Sequence, residues 1–430
     1  MFNKIKSFWV LHIEQIQEEG WLAVHRKTAK LIAILLNLPI SIVGTTCAIP
    51  LVLFVRLIRP IMLIRFGYFF AGRIGHFSFD VEYYLTKKKL GSYPENAIDL
   101  FFYRWLREGK PANSFFDQLA RRNLNIFGFV KYLFFVNSFI PGGEKNQILP
   151  AYETCGSRDI NGIFNQIGTQ LSFTRGEEKK GQVFLESICN GGNTKFICLN
   201  VRDSSYLKGT GYHDYRDSDI DSYEEASLAM AEKGYWVFRM GKVVEKPFKV
   251  SHPLIIDYAS SEFRSDFLDV WLMANCFFTI STSSGLDNLC VIYRKPTLLV
   301  NHLPVGDCRT GSLKNMEIFK KLKSKKTGKY LSLQEQIDTG AIMFLKKNNY
   351  EKLDIKVVDN SPEELKSAVL EFEHNLTKSF REKFSDEKIL QDRFWSILEK
   401  WRDYAKYHGA FRSIISNTYL RKNHNWFLNI

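Results

Sequence analysis

Four hydroxyl residues and a glycine stand together at Ser281, Thr282, Ser283, Ser284 and Gly285. They follow an apolar run and precede a segment that reads as a helix opening at Leu286. At a helix start the backbone N–H groups are unpaired and carry partial positive charge, which suits a phosphate. A Ser284 that only caps the helix accounts for the same residues. Two arginines fall where predicted strands end. Arg202, followed by Asp203, closes KFICLNV, and Arg239, followed two residues on by Gly241, closes YWVF. Guanidinium geometry suits a bidentate grip on phosphate. Asp257 lies in a further short strand, and Arg264 stands at the start of the next helix. Earlier, Arg73, Gly75 and His76 occupy a glycine turn between a strand and a helix. Gly75 can let a substrate near the backbone. His76 can serve as a general base, bind a substrate hydroxyl, or be an ordinary turn histidine.

These residues need a scaffold that gathers them. From 195 to 301 strands and helices alternate, which predicts a parallel α/β sheet whose chemistry sits beyond the carboxyl ends of its strands. Arg202, Arg239, Asp257 and the 281–285 turn then share one edge. A strand at 61–66, the glycine turn and a helix open an earlier unit of the same kind. A second strand at 98–105 and a helix over 121–139 follow, and Gly191, Gly192 and Asn193 read as a linker. The predicted organisation is a membrane-associated segment at 1–57, a Rossmann-like domain at 58–190, a second Rossmann-like domain at 191–360, and C-terminal helices at 361–430.

The aspartates at 214, 217, 219 and 221 include Asp-x-Asp, a spacing that can hold a divalent ion. They also precede an amphipathic helix closed by Gly234, so Asp221 or Ser222 reads as its cap and metal binding is not expected. The seven cysteines are scattered, odd in number and without CxxC, which fits buried thiols in a reducing compartment. Net charge is +13 over 430 residues. This suggests an anionic partner, either a phosphorylated substrate or a lipid surface. No zinc-finger spacing or RNP-like run points to nucleic acid. The lysines from 314 to 329 read as a solvated surface, with an anionic-lipid contact as the other reading.

Residues 31–55 hold no charge and exceed the ~20 apolar residues that cross a bilayer. Pro39, Gly44 and Pro50 interrupt the run, and basic residues flank both ends, so a straight span and a re-entrant hairpin both remain open, and a buried apolar segment of a soluble protein accounts for the same residues. Residues 1–30 read as an interfacial amphipathic helix or a packed surface helix.

Three runs, IRFGYFFAGRIGHF, NVRDSSYL with YHDYRDSDI, and GYWVFRMGK with IIDYASSEFRSDFLDVWLMANCFFTISTSSGL, resemble a bacterial glycosyltransferase family of surface-polysaccharide and lipopolysaccharide gene sets. They are similar, more distantly, to fucosyltransferase-like enzymes. The family commonly has His-x-Arg-Asp where this chain has Asn200, Val201, Arg202 and Asp203. The resemblance implies a GT-B-like fold, two Rossmann-like domains facing a cleft, and a nucleotide-sugar donor. Arg202 and the turn 281–285 would contact the donor diphosphate in the second domain. From the residues themselves, Arg239 would share the diphosphate with Arg202, Asp257 is a candidate for the nucleoside ribose or base, and Gly241 and Arg264 would complete the donor side. Arg73, Gly75 and His76 would face a glycan or lipid-linked acceptor. His76 would be the base, with Asp203 competing. No cofactor or divalent metal is expected. The site of action is expected at the cytoplasmic face of the inner membrane. Rival readings are pyruvyl or phosphosugar transfer on the same scaffold, and a non-enzymatic membrane scaffold.

Overall fold

The computed structural model describes residues 20–189, 194–203, 205, 214–377 and 385–429. The proposed linker at 191–193, residues 1–19, and Tyr212 and His213 lie outside them. The chain divides into two compact units. One comprises Met1–Tyr68, Asn96–Phe102 and Asn125–Ile148, and the other comprises Phe69–Glu95, Tyr103–Leu124 and Leu149–Ile430.

The first unit begins with one helix, Trp21–Leu57, which passes through Pro39 and Pro50. The hairpin alternative is therefore not realised. One flank packs on the helix Val130–Phe139. Gly44 allows the approach, since a Cβ there would lie 2.6 Å from the Tyr132 ring. Ala48, Val52 and Val55 are buried on that flank. Arg56 donates to the carbonyls of Asn137, Ile140 and Pro141. It thereby satisfies the orphan acceptors at the end of the partner helix. The sequence predicted one helix over 121–139. The chain instead forms the helix Ser114–Asn123, strand β3 (Asn125–Ile126) and then Val130–Phe139. Leu124 is extended where a helix would continue, which feeds β3 into pairing with β2.

The strands β1 (Leu63–Phe70), β2 (Ala97–Arg104), β3 and β4 (Gln147–Ile148) lie in the order β3-β2-β1-β4. The β1/β4 and β2/β3 pairs are parallel. Between β1 and β2, Arg65 and Asp99 form a buried bidentate ion pair with both contacts at 2.8 Å.

In the second unit, seven strands form one sheet. They are β5 (Phe196–Asn200), β6 (Trp236–Arg239), β7 (Ile255–Ile256), β8 (Thr279–Ser281), β9 (Thr297–His302), β10 (Asn315–Phe319) and β13 (Ile414–Ile415). Their order is β13-β10-β9-β8-β5-β6-β7, and every neighbouring pair is parallel. From β7 to β10 this is the doubly wound order 3-2-1-4-5-6. The sequences FICLN, TLLVNH and NMEIF are buried along their whole length, as strands covered on both faces must be. A separate antiparallel pair joins β11 (Lys321–Ser324) to β12 (Ile355–Val358).

The lysine-rich stretch is only partly a solvated surface. Lys320 is buried and paired with Asp359, and Lys321 is paired with Glu364. Lys320 joins β10 to β11, with its N–H bonded to the His302 carbonyl, and Lys321 opens β11, so strand pairing holds both close to their partners. The C-terminal region also differs from a purely helical expectation, because β13 extends the sheet at its edge. Ser361 caps the helix Pro362–Thr377 through Glu364 N–H, as its sequence implies.

Candidate functional site

A cavity of about 1100 Å³ lies wholly within the second unit. It opens beside β5 and β8, where the strand order reverses. That switch point is where open parallel sheets form a crevice beyond their strand ends. Arg202 and Asp203 follow β5, and Ser283, Ser284 and Gly285 follow β8; all five line the cavity. So do Arg73, Gly75, His76 and Gly241. Arg239, Asp257, Arg264, Ser281 and Thr282 do not line it.

The hydroxyl turn is held from beneath. Asn200 donates to Ser281 Oγ at 3.2 Å and to Ser284 Oγ at 2.6 Å. Asn200 thus anchors the turn. Thr282 Oγ1 accepts from Arg202 N–H at 2.8 Å. Ser281 donates to Asp287 at 2.9 Å. Ser283 has φ 57°, an uncommon conformation for a residue with a side chain, and its buried hydroxyl has no partner. Among the described residues, the N–H groups of Ser283, Ser284 and Gly285 make no hydrogen bond. Successive free N–H groups around a left-handed residue form a concavity for anions.

The following helix, Asp287–Ile292, is shorter than the sequence suggested, and Asp287 places a buried carboxylate in its first turn. What this corner offers an anion therefore comes from the turn and its cations more than from a helix dipole. Ser284 Oγ accepts from Leu286 N–H at 3.3 Å, so it caps as well.

Three guanidiniums surround the corner. Arg202 Nε donates to Asp217 at 2.9 Å. Arg216 lines the cavity and reaches the Ser283 carbonyl at 3.4 Å. Arg309 donates to Asn288 Oδ1 at 3.0 Å and lies 3.8 Å from Asp287. Burial first, and then the Arg216 charge, push the Arg202 pKa below its ordinary value. Asp217 faces Arg202, and Asp287 and Asp307 face Arg309, while among the described residues Arg216 reaches only a carbonyl, so the corner keeps cationic groups free to meet a polyanionic ligand. Arg216 and Arg309 escaped the sequence reading. Arg216 sits in the aspartate run, and Arg309 lies in a stretch with no motif. Only their positions beside the switch point distinguish them.

The residues left outside have structural partners. Arg239 is buried and donates to Asp257 at 3.1 Å, while Asp257 also accepts from Phe248 N–H. Arg264 is paired with Asp266 and Asp269. Asp203 lines the cavity, but its two oxygens accept from Ser205 and Glu245 N–H groups. It pins two loops together, which weakens its claim to be a base. Lys246 bridges Asp219 and Asp221, and Asp219 caps the short helical turn before Glu224–Glu232, in place of the expected Asp221 or Ser222.

Gly75 and His76 lie in the first turn of the helix Ile74–Lys89, so the preceding turn is shorter than predicted. The missing side chain at Gly75 admits Gly285, since a Cβ would come within 2.8 Å of its Cα. Asn288 donates to the Gly75 carbonyl at 3.1 Å and ties the two loops.

His76 Nδ1 lies 3.0 Å from Ser157 Oγ, which donates to Asp80 Oδ1 at 2.9 Å. With the serine proton on the aspartate side, Nδ1 carries hydrogen and donates to Ser157. Nε2 then holds a free lone pair. Burial, followed by Arg73, Arg309 and Arg216, lowers His76 to about 4. The imidazole is therefore neutral near pH 7 and able to accept a proton.

Asp80 is almost fully buried, and its Oδ2 has no partner. Burial raises it to about 7, against bonds from Ser157 and Tyr152 N–H. Between its ordinary value and 7, the unfolded chain is ionised while the folded chain keeps the proton. Stability should therefore fall as pH rises across that window, by about 4 kcal/mol in all. Asp80→Asn should abolish this slope. Thermal unfolding at pH 5 and pH 8 should show the variant gaining on the wild type at the higher pH.

Among the described residues, no group of three or more His, Cys, Asp or Glu side chains is placed to hold a metal. The seven cysteines are free, and five are buried.

No family model matches the chain, and no curated protein matches it. Among solved structures, E. coli ADP-heptose lipopolysaccharide heptosyltransferase II is 12% identical with a TM-score of 0.36, covering 72% of this chain and 99% of its own. A glycosyl transferase of family 9 from Veillonella parvula is 10% identical with a TM-score of 0.38, covering 72% and 97%. The iron-containing heptosyltransferase TibC with ADP-D-beta-D-heptose is 10% identical with a TM-score of 0.39, covering 74% and 77%. Superpositions this loose transfer no residue roles. The likeness to fucosyltransferase-like enzymes stays an expectation of the sequence.

Proposed function

We propose that the chain is a glycosyltransferase of GT-B-like build that moves a sugar from a nucleotide-sugar to a glycan acceptor. The observation that carries this reading is the switch-point corner. There, unpaired N–H groups at 283–285 meet Arg202, Arg216 and Arg309 in a cavity large enough for a nucleotide-sugar. The acceptor hydroxyl attacks the anomeric carbon as the bond to the diphosphate oxygen breaks. The bonding pair leaves with the diphosphate, and the hydroxyl proton passes to His76 Nε2. Charge growing on the leaving diphosphate is met by the guanidiniums and the turn, which are fixed before reaction. Arg73 and His76 serve the acceptor side. Arg239 and Asp257 tie the ends of β6 and β7 together outside the cavity.

The aspartates that might have held a divalent ion are engaged by Arg202 and Lys246, so a metal is not part of this reading. A lipid-linked acceptor at the cytoplasmic face of the inner membrane completes it. That part is supported by the apolar window Leu38–Leu57, with mean hydropathy 2.2.

Calorimetry with ADP, UDP, GDP and pyrophosphate tests the proposal. One nucleoside diphosphate should bind well above pyrophosphate. Equal binding of pyrophosphate would favour pyruvyl or phosphosugar transfer, and no binding of any would favour a non-enzymatic scaffold.

A further inference from the structure

We infer that the first unit seats on an anionic bilayer surface through two elements: the outer face of the long helix, and an aromatic ridge at Phe127, Phe129, Phe135 and Phe139. This rests on the membrane reading above and decides how the membrane is met.

From Gly44 to Arg56 the long helix is held along one flank by Val130–Phe139, with Tyr132 against Gly44 and Arg56 bonded to the partner's terminal carbonyls. A helix so held cannot be encircled by lipid as a lone crossing helix would be. Its other flank is bare, with Ile40, Val43, Leu51, Phe54 and Leu57 all exposed. The partner helix is bare too. Phe135 and Phe139 are 52% and 72% exposed and lie one turn apart, with ring centroids at 4.7 Å. Phe127 and Phe129 stack just before that helix and are also exposed. Exposed aromatic and aliphatic side chains on two packed helices suit shallow burial at the headgroup boundary.

Charge selects the occupant. The described residues of the first unit, 20–68, 96–102 and 125–148, carry eight Lys or Arg against two carboxylates, Asp99 and Glu144, and Asp99 is taken up by Arg65 within the sheet. A second copy of this chain would bring the same net positive charge to the contact. An anionic lipid headgroup supplies the opposite charge.

The test is sedimentation of the full chain with vesicles of 70% phosphatidylcholine and 30% phosphatidylglycerol. Phe135→Asp with Phe139→Asp lies outside the long helix and should weaken vesicle binding at least ~ten-fold. Ile389→Asp, an exposed apolar position of the second unit, should leave it unchanged. Circular dichroism and nucleoside diphosphate binding check that the double variant remains folded. Wild-type binding by the double variant would overturn the inference and leave the long helix as sole anchor. Absent vesicle binding by the wild type, with a dimer that the double variant dissolves, would overturn it in favour of a second copy. Failure of nucleotide binding alone would sink the transferase reading and leave this one standing.

Discussion

Arg202→Ala is expected to lower the rate of sugar transfer by about two orders of magnitude or more, the usual cost of removing a fixed electrostatic stabiliser. The residue combines three features that a surface arginine lacks. Its backbone N–H is tied to Thr282 in the turn, its Nε is held by Asp217, and its guanidinium lines the cavity beside Arg216. A side chain so oriented is positioned before the ligand arrives, and little motion is needed as charge develops. The loss should appear in kcat as well as in nucleoside diphosphate affinity, because the charge it meets is largest in the transition state. Truncation also leaves Asp217 partly buried without its partner, so Asp217→Asn is the necessary control. That variant frees the guanidinium but removes no positive charge, and it should retain most of the activity. Transfer by Arg202→Ala at the wild-type rate, with the fold intact, would remove the diphosphate from this corner.

His76→Ala should cost about 10²–10⁴ in kcat, the range for a positioned general base. The pH dependence is the sharper measurement. A base must be neutral to work, and burial with three nearby arginines holds His76 to about 4. In the free enzyme, kcat/KM should therefore rise with pH through the region near 4 and be flat at neutrality on that limb. Arg73→Gln removes the largest of the three charge effects and should move the limb upward, toward the ordinary histidine value. Ser157→Ala should lower kcat less than His76→Ala while leaving nucleotide affinity unchanged, because Ser157 fixes the ring and does not touch the donor. An acid limb that stays in place in Arg73→Gln would mean that another group is titrating.

The alternating strands and helices from 195 to 301 were legible because their apolar runs are continuous and bounded by turn residues. The parallel sheet they predict is the one found. The glycine turn before His76 was legible for the same reason, although the helix starts one turn earlier than its residues suggest. The strand β3 was not legible. Two residues give no periodicity, and the basic and apolar residues around them suit a helix equally well. The buried Lys320 and the paired Lys321 were also hidden, since a run of lysines has the same composition whether it is solvated or ion-paired.

The strand-end arginines illustrate a deeper limit. Arg202 and Arg239 look equivalent in the chain, each closing an apolar strand. Strand order separates them. β5 lies beside β8 at the reversal point, so Arg202 meets the turn after β8, whereas Arg239 is the last residue of β6 and pairs with Asp257, just after β7.

Residue types and their local spacing, then, determined that this is a parallel α/β chain with a phosphate-compatible turn, strand-end cations and a long apolar segment. These follow from chain-local physics: side-chain periodicity, turn chemistry and charge content. Tertiary structure alone decided which cations share a cavity, that Asn200 carries the serine turn, that Asp80 stands behind Ser157 and His76, and that the apolar helix lies along a second one. Each of these depends on contacts between segments far apart in sequence, and nothing in the composition of either segment specifies its partner.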